Sequence, residues 1–464
     1  MLDLIRSIMP YRLRAPLRRV IYSRIPLKIR MGAKYWQLKS FLQEAQWWDR
    51  ERIEAWQLEK LKSIVQYAYE NTPGYRALYQ EAGVKPDDIV TLADVRLLPF
   101  TTRELLRDNL DDFTARNIPR WRRRYVTTGG STGIPFGFFH TTTNTWMENA
   151  FMHSGWERVG WTLGDSTVVL RGKYVGTEDK FWEFDTVTNE LHMSSYCLTN
   201  HTYPQYISKI EKVQPKHLHA YPSAVSLLAD LILDNNDVNK IKFDTVLLGS
   251  ENVYEWQINT IKAALPSSRQ FDWYGHTEQA ILAPWCEYSA EYHIWPFYGL
   301  TEVLNSENMP VDKDDTGELV GTSFWNFGTP FIRYRTEDLA QYGGCGCPHC
   351  RRQFMLLSTI IGRIHHSLVS KSGRMIPLVT DWYVDFFSNV RQFQFYQDTP
   401  GEIKLRLVCK DSYSDNDTQK IRQQVHEKLG DEFHCEIELV DEIPRTQRGK
   451  QQFLEQKLSS RAGA

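Results

Sequence analysis

Between residues 167 and 278, short apolar runs recur, and each ends in a small polar or glycine-bearing cluster. Residues 167–170 run into Arg171-Gly172, residues 215–219 lead to Tyr221-Pro222-Ser223, residues 243–248 reach Gly249-Ser250-Glu251, and residues 271–274 reach Gly275-His276-Thr277-Glu278. Helix-spaced segments separate them, at 203–213, at 225–233 and behind Glu251. Buried parallel strands read as unbroken apolar runs because helices cover both faces of their sheet. The pattern predicts an α/β fold of layered strands and helices. In such sheets ligands gather at the carboxyl ends of the strands, where these four clusters fall.

A fifth stretch precedes the pattern: Val126-Thr127-Thr128-Gly129-Gly130-Ser131-Thr132-Gly133-Ile134-Pro135. Glycines bring backbone N–H groups close to an anion, and hydroxyls add donors. The stretch follows an apolar strand end at Tyr125-Val126, so it reads as a phosphate-cradling turn or as a flexible loop. It is not a Walker A loop, because no Gly-Lys-Ser/Thr follows at the required spacing.

Ahead of it the chain is helical. Apolar residues Ile53, Trp56, Leu61, Ile64, Val65 and Ala68 recur at helical spacing over 47–70, and Asn71-Thr72-Pro73-Gly74 stops that helix. Further helices are expected at 75–83, after Thr91 and after Pro99-Phe100-Thr101-Thr102-Arg103, then over 141–159. The first 34 residues carry nine basic side chains, from Arg6 to Lys34, against the single acid Asp3. This segment is either a basic amphipathic stretch for an anionic membrane surface or a helix packed on the body by its apolar side. No run has the length of a membrane span and no cleavable leader is visible, so the expectation is a cytoplasmic chain with at most peripheral membrane contact. Net charge is only -2 and the positive charge is local, which leaves nucleic-acid binding without support.

Three more segments carry chemistry. Glu278 places a carboxylate just past a strand, as an oxygen ligand for Mg²⁺ against phosphate or as part of a surface turn. Asp338, in Arg333-Tyr334-Arg335-Thr336-Glu337-Asp338, either accepts hydrogen bonds from ribose hydroxyls or pairs with an arginine. Lys450, after the turn of Ile443-Pro444-Arg445-Thr446-Gln447-Arg448-Gly449, either reaches a cleft from a mobile domain or stands in solvent.

Taken in order, these segments resemble the adenylate-forming superfamily of acyl- and aryl-CoA ligases, adenylation domains and luciferases. More narrowly the chain resembles the phenylacetate-CoA ligase-like branch that includes capsular-polysaccharide biosynthesis proteins. Gln57, Ala68-Tyr69, the Asn71-to-Tyr75 stop, Tyr221-Pro222-Ser223 and a cysteine cluster carry the narrower likeness. The resemblance implies a basic, partly helical N-terminal segment (1–46), a large AMP-binding domain (47–362) and a small mobile α+β lid (363–464). It also implies that Thr128, Gly130, Ser131, Thr132 and Gly133 hold the ATP phosphates. Ser250, Glu251, Tyr274 and Gly275 would line the nucleotide site, with Thr277 near the adenylate phosphate and Glu278 on Mg²⁺. Asp338 and Arg363 would hold the ribose, and Lys450 the attacking carboxylate and the α-phosphate.

The acid itself would sit among residues 146–153, 221–223 and 250–254. Gly129 and Ile134 stand where relatives usually carry Ser and Lys, and His365-His366 where they carry acids at the hinge. Cys347-Pro348-His349-Cys350 has the spacing of a zinc knuckle. The branch resembled supplies the second pair, so Cys286, His293, Cys347 and Cys350 are expected to hold a structural Zn²⁺, with Cys345 as substitute ligand. The function implied is ATP-dependent activation of a small carboxylic acid followed by transfer to CoA. Transfer to an amine or hydroxyl in surface-polysaccharide assembly, or a non-catalytic nucleotide-binding scaffold, are the alternatives.

Overall fold

The computed structural model describes residues 25–128, 136–172, 181–363, 367–372, 375–377, 389–445 and 451–458. Its centre is a six-stranded sheet in the spatial order 182–185, 190–194, 167–171, 217–220, 245–248, 269–271. All neighbours are parallel except the edge strand Trp182–Asp185, which pairs antiparallel with Glu190–Ser194. Helices Tyr203–Val213, Pro222–Asp234 and Glu255–Ala264 cover this sheet. The first of them ends at Gln214, whose left-handed φ of 49° turns the chain back into the next strand.

The expected strand over 271–274 is two strands. Arg269–Phe271 belongs to the parallel sheet, while Trp273–Gly275 pairs antiparallel with Leu282–Pro284. Asp272 makes the break, buried and tied to Tyr292 by a hydrogen bond of 2.5 Å. The chain therefore leaves the sheet one residue after Phe271 and carries Gly275–Glu278 to a neighbouring layer.

That layer is an antiparallel sheet in the order 292–293, 355–363, 334–345, 316–323, 299–304. Against it packs the helix Arg50–Asn71, whose N-terminus is capped by Asp49 accepting from the Arg52 N–H at 2.8 Å. Ile53, Leu61, Ile64, Val65 and Ala68 form its buried stripe, and Pro73 opens the next helix rather than extending this one. The helix Ala33–Ala45, within the segment expected to be partly helical, buries Tyr35, Leu38, Leu42 and Ala45 in the same core as helix Thr142–Trp156. Residues 33–45 are thus part of the body; residues 1–24, with most of the basic charge, lie outside the described residues.

The C-terminal unit is a four-stranded sheet in the order 434–439, 402–409, 390–399, 454–456, backed by helix Asp415–Leu429. It has its own core, including Phe393, Phe395, Leu405, Leu407, Ile421 and Val425. Strands Ser367–Val369 and Met375–Pro377 pair antiparallel, and Gly373 and Arg374 of the turn expected between them lie outside the described residues.

Candidate active site

The glycine–hydroxyl stretch connects two strands of a hairpin. Arg124–Thr127 pairs antiparallel with Gly137–His140, and the Thr128 N–H donates to the Phe136 carbonyl at 2.9 Å. Gly130, Ser131, Thr132 and Gly133 lie outside the described residues, but the base of their loop is thereby set. Thr128 is buried, and its hydroxyl oxygen accepts from Arg103 Nη2 at 3.3 Å. Arg103 had served only as a helix start in the sequence. It is buried at the head of helix Arg103–Asp108 and brings a cation to the hairpin.

Three ties gather about the Gly275–Glu278 turn, one of them from this hairpin. His140, on the second strand, hydrogen-bonds the backbone of Thr277, and burial pulls its pKa down to about 4, which keeps the ring neutral. Asn144, which caps the following helix, donates to Gln279 at 2.8 Å. Tyr334 donates to Glu278 Oε1 at 3.1 Å, and burial raises its phenol well above the ordinary value, Glu278 adding to the effect and Arg103 opposing it. Glu278 is buried, and His276 Nδ1 stands 3.3 Å from its other oxygen. A carboxylate fixed from both sides presents its remaining lone pairs in one direction, as a metal ligand must.

The residues expected at the ribose converge on the same place. Tyr274 donates to Asp338 Oδ2 at 2.7 Å. Asp338 lies on strand Tyr334–Cys345, directly across from Arg363 on strand Met355–Arg363. Beside Arg363, Gly362 has a φ of 109°, a region L side chains avoid, and Asn252 donates to the preceding carbonyl of Ile361 at 3.1 Å.

At the carboxyl edge of the parallel sheet, Glu251 accepts from the Ser223 N–H at 3.0 Å and from its hydroxyl at 3.1 Å. Its oxygen also accepts from the backbone N–H of Gln451, at 3.1 Å, so the C-terminal segment docks on this cluster. Lys450 lies outside the described residues, one position before that contact. Arg171, at the end of the central strand, donates to Ser250 Oγ at 2.5 Å and lies over the Tyr221 ring at 4.6 Å. Within the expected acid pocket, Tyr298 donates to Glu148, and burial pushes that carboxyl up to about 7.

The spatial neighbours of this arrangement are ligases. A 2-hydroxyisobutyryl-CoA ligase in its postadenylation state superposes with a TM-score of 0.71 at 19% identity, over 88% of this chain and 90% of that one. The same ligase in an open conformation with 2-HIB-AMP and CoA gives 0.57 at 19% identity, covering 87% and 91%. In sequence, protein CapK of Staphylococcus aureus is 24% identical over 86% of this chain and 88% of its own length. The phenylacetate-coenzyme A ligase of Pseudomonas putida is 27% identical over 69% and 73%. Residues 368–457 match the family described as CapK C-terminal domain.

The fold is that of the adenylate-forming ligases.

In sequence it is similar to CapK and to phenylacetate-coenzyme A ligases. The chain also gathers its cysteines. Cys286, His293, Cys347 and Cys350 are all buried, with one ligand atom from each within 4.8 Å of the others. Cys286 follows strand Leu282–Pro284, His293 ends strand Tyr292–His293, and the two remaining cysteines lie in the turn between strands Tyr334–Cys345 and Met355–Arg363. Sulfurs sharing one tetrahedral zinc at ~2.3 Å stand ~3.8 Å apart; Cys286 Sγ and Cys347 Sγ are 3.8 Å apart. Backbone N–H groups of Tyr288 and Cys350 point at Cys286 Sγ and Cys347 Sγ, at 3.4 and 3.5 Å. Burial, reinforced by Arg158 and Arg352, pulls His293 down to about 3, so it offers a neutral ring nitrogen. Cys345 does not join them: it is exposed at a strand end, its sulfur 3.3 Å from the Tyr342 hydroxyl, and Gly346 with φ 83° turns the chain inward after it.

Proposed function

We propose that this chain activates a small carboxylic acid with ATP, forming an acyl-adenylate and pyrophosphate, and then passes the acyl group to CoA. The observation that carries the reading is the convergence of Tyr274–Asp338 and Tyr334–Glu278 beside the base of the phosphate hairpin. A carboxylate attacking a phosphate meets like charge, so the reaction needs cations placed in advance. Glu278 would hold Mg²⁺ against the phosphates, Asp338 and Arg363 the ribose, and the loop 129–133 the β,γ-phosphates. Lys450 would meet the acid and the α-phosphate, with Thr277 beside the adenylate; the docking of Gln451 on Glu251 supports that approach. The acid would lie among residues 146–153, 221–223 and 250–254. Residues 363–464 would act as the lid, turning at Gly362.

The test is pyrophosphate exchange into ATP with Mg²⁺ and a panel of aryl and short aliphatic acids. Exchange with at least one acid is expected, lowered ~100-fold or more in Lys450→Ala. No exchange with any acid, together with no rise in melting temperature on adding ATP, would leave a non-catalytic scaffold as the better description.

A second acceptor is favoured by one observation: the CapK likeness spans 86% of the chain against 69% for a phenylacetate ligase. On that reading the adenylate goes to an amine or hydroxyl during surface-polysaccharide assembly, and the basic segment before residue 25 docks the enzyme on an anionic membrane. CoA would then fail to accelerate consumption of a preformed adenylate. Among the described residues, no helix is long and apolar enough to cross a membrane.

The Cys286, His293, Cys347 and Cys350 group fits a structural Zn²⁺ by donor chemistry and by sulfur spacing. The ion would pin the turn after Cys345 to strands 282–284 and 292–293, behind the Glu278 turn.

A further inference from the structure

The carboxyl edge of the parallel sheet carries a cation whose bonded partners are all neutral. Arg171 ends the central strand, Tyr221 follows the adjoining strand and Ser250 lies just past the one after, so its side chain reaches across three strand ends. Nη1 stands 3.0 Å from His219 Nε2, Nη2 donates to Ser250 Oγ at 2.5 Å, and the guanidinium lies over the Tyr221 ring at 4.6 Å. Nε is buried and has no hydrogen-bond partner among the described residues. Burial holds the His219 ring well below its ordinary pKa, so that partner is uncharged.

Behind His219 stand Trp156 and Trp273, with ring centres 5.2 and 5.3 Å from its own. Aromatic surroundings screen a charge poorly. Among the described residues Arg171 forms no ion pair; the acid whose charge reaches it, Glu251, is held by Ser223 and by the Gln451 N–H. A guanidinium in this state favours an anion, which it grips in a flat two-point geometry. The reacting carboxylate is a poor choice, because pairing it with arginine in the ground state holds back the nucleophile. The phosphates belong, on the reading above, to the hairpin loop. What remains is a second negative group on the acid itself.

We propose that Arg171 selects acids carrying a second anionic group, a carboxylate or a phosphoryl group set away from the reacting carboxyl, with His219 and Ser250 fixing the guanidinium for it. This rests on the acid-activating reading of the site. It names a substrate class that an aromatic pocket by itself does not suggest. The rival role for Arg171 is a clamp on three strand ends, which has no means of telling one acid from another.

The experiment is pyrophosphate exchange by the full-length protein with ATP, Mg²⁺ and matched pairs of acids. Succinate is set against butyrate, glutarate against valerate and phthalate against benzoate, with 3-phosphonopropionate beside succinate to tell a phosphoryl from a carboxylate anion. Wild type should favour the doubly anionic acid in at least one pair, by roughly tenfold or more in apparent kcat/KM. Arg171→Gln should shrink that ratio by a similar factor, and Arg171→Lys should restore part of it. A mere clamp would lower both members of a pair together, leaving the ratio within about twofold of wild type; that result would overturn the proposal, as would a wild type that favours no doubly anionic acid. Should no acid support exchange, the ligase reading fails and binding decides this inference by itself. At equal ionic strength, doubly anionic acids must then raise the melting temperature of wild type more than their singly charged partners do, and lose that advantage in Arg171→Gln. Equal shifts would overturn it. Should Arg171→Gln not fold, Arg171→Lys is read in its place: a reduced ratio supports the proposal and an unchanged one overturns it.

Discussion

Asp272 shows how one residue can sit at odds with its surroundings and still be informative. Its Oδ2 accepts from Tyr292, while its Oδ1 is buried with no partner among the described residues. Burial pushes the carboxyl from 3.8 up to about 7, against the pull of the Tyr292 hydroxyl and the Trp273 backbone. The folded chain therefore holds this proton more tightly than the unfolded one. The stability it contributes is present at acid pH and is lost as pH rises from about 4 through about 7. Asp272→Asn lacks that titration, so its urea midpoint should gain on wild type between pH 5 and pH 7 and run parallel above. Equal gaps at pH 5 and pH 8 would contradict this. Tyr274 offers a second test at the same scale. Tyr274→Phe removes the donor that orients Asp338, and the apparent KM for ATP should rise roughly fivefold with a smaller change in kcat. An unchanged KM would separate Asp338 from the nucleotide.

Among elements, the hairpin of strands 124–127 and 137–140 depends on a clamp that contains no charged group. Thr329 donates its N–H to the Phe139 carbonyl at 3.0 Å, and its hydroxyl accepts from the Phe139 N–H at 3.1 Å. Gly328 lies so close that an added Cβ would stand 2.2 Å from the Phe139 carbonyl oxygen. Backbone cannot step aside as a flexible side chain can. Gly328→Ala should lower the melting temperature by several degrees and weaken ATP binding, because the hairpin that carries Thr128 must shift. Thermal melts with and without ATP would check it; a variant with wild-type melting and ATP response would show the clamp to be dispensable. The hairpin strand at 124–127 was legible from Tyr125-Val126 before the glycines. The clamp was not, because Gly328-Thr329-Pro330 lies 190 residues away from Phe139 and reads locally as an ordinary turn.

At the scale of the whole molecule, the C-terminal unit is fastened to helix Pro222–Asp234. Lys410 reaches the buried Asp230 at 2.8 Å, and Arg391 pairs with Asp234 at 2.6 Å. Burial raises the Asp230 carboxyl, and Lys410 followed by Arg391 pulls it back. Breaking a buried pair by removing one charge leaves the other uncompensated, so the arrangement seen here should be selectively weakened by Asp230→Asn. The expected result is a several-fold loss in pyrophosphate exchange with little change in acyl transfer from a supplied adenylate. Equal losses in both half-reactions would mean that Asp230 supports folding and not the balance between arrangements.

Local chemistry alone determined much of this protein. Apolar runs ended by Gly249-Ser250-Glu251 and Gly275-His276-Thr277-Glu278, helical stripes such as Ile53 to Ala68, and the Cys347–Cys350 spacing are short-range patterns, and short-range patterns survive in the linear chain. Tertiary structure decided which of those pieces meet. Asp272 splits an apparent strand in two, residues 33–45 enter the core, and Cys345 turns away from the sulfur group that Cys286 and His293 complete. Arg103, His140 and Tyr334 acquire roles only through partners far off in sequence. The physical reason is the same in each case: burial gives a charge or a polar atom its importance, and burial is a property of what surrounds a residue in space.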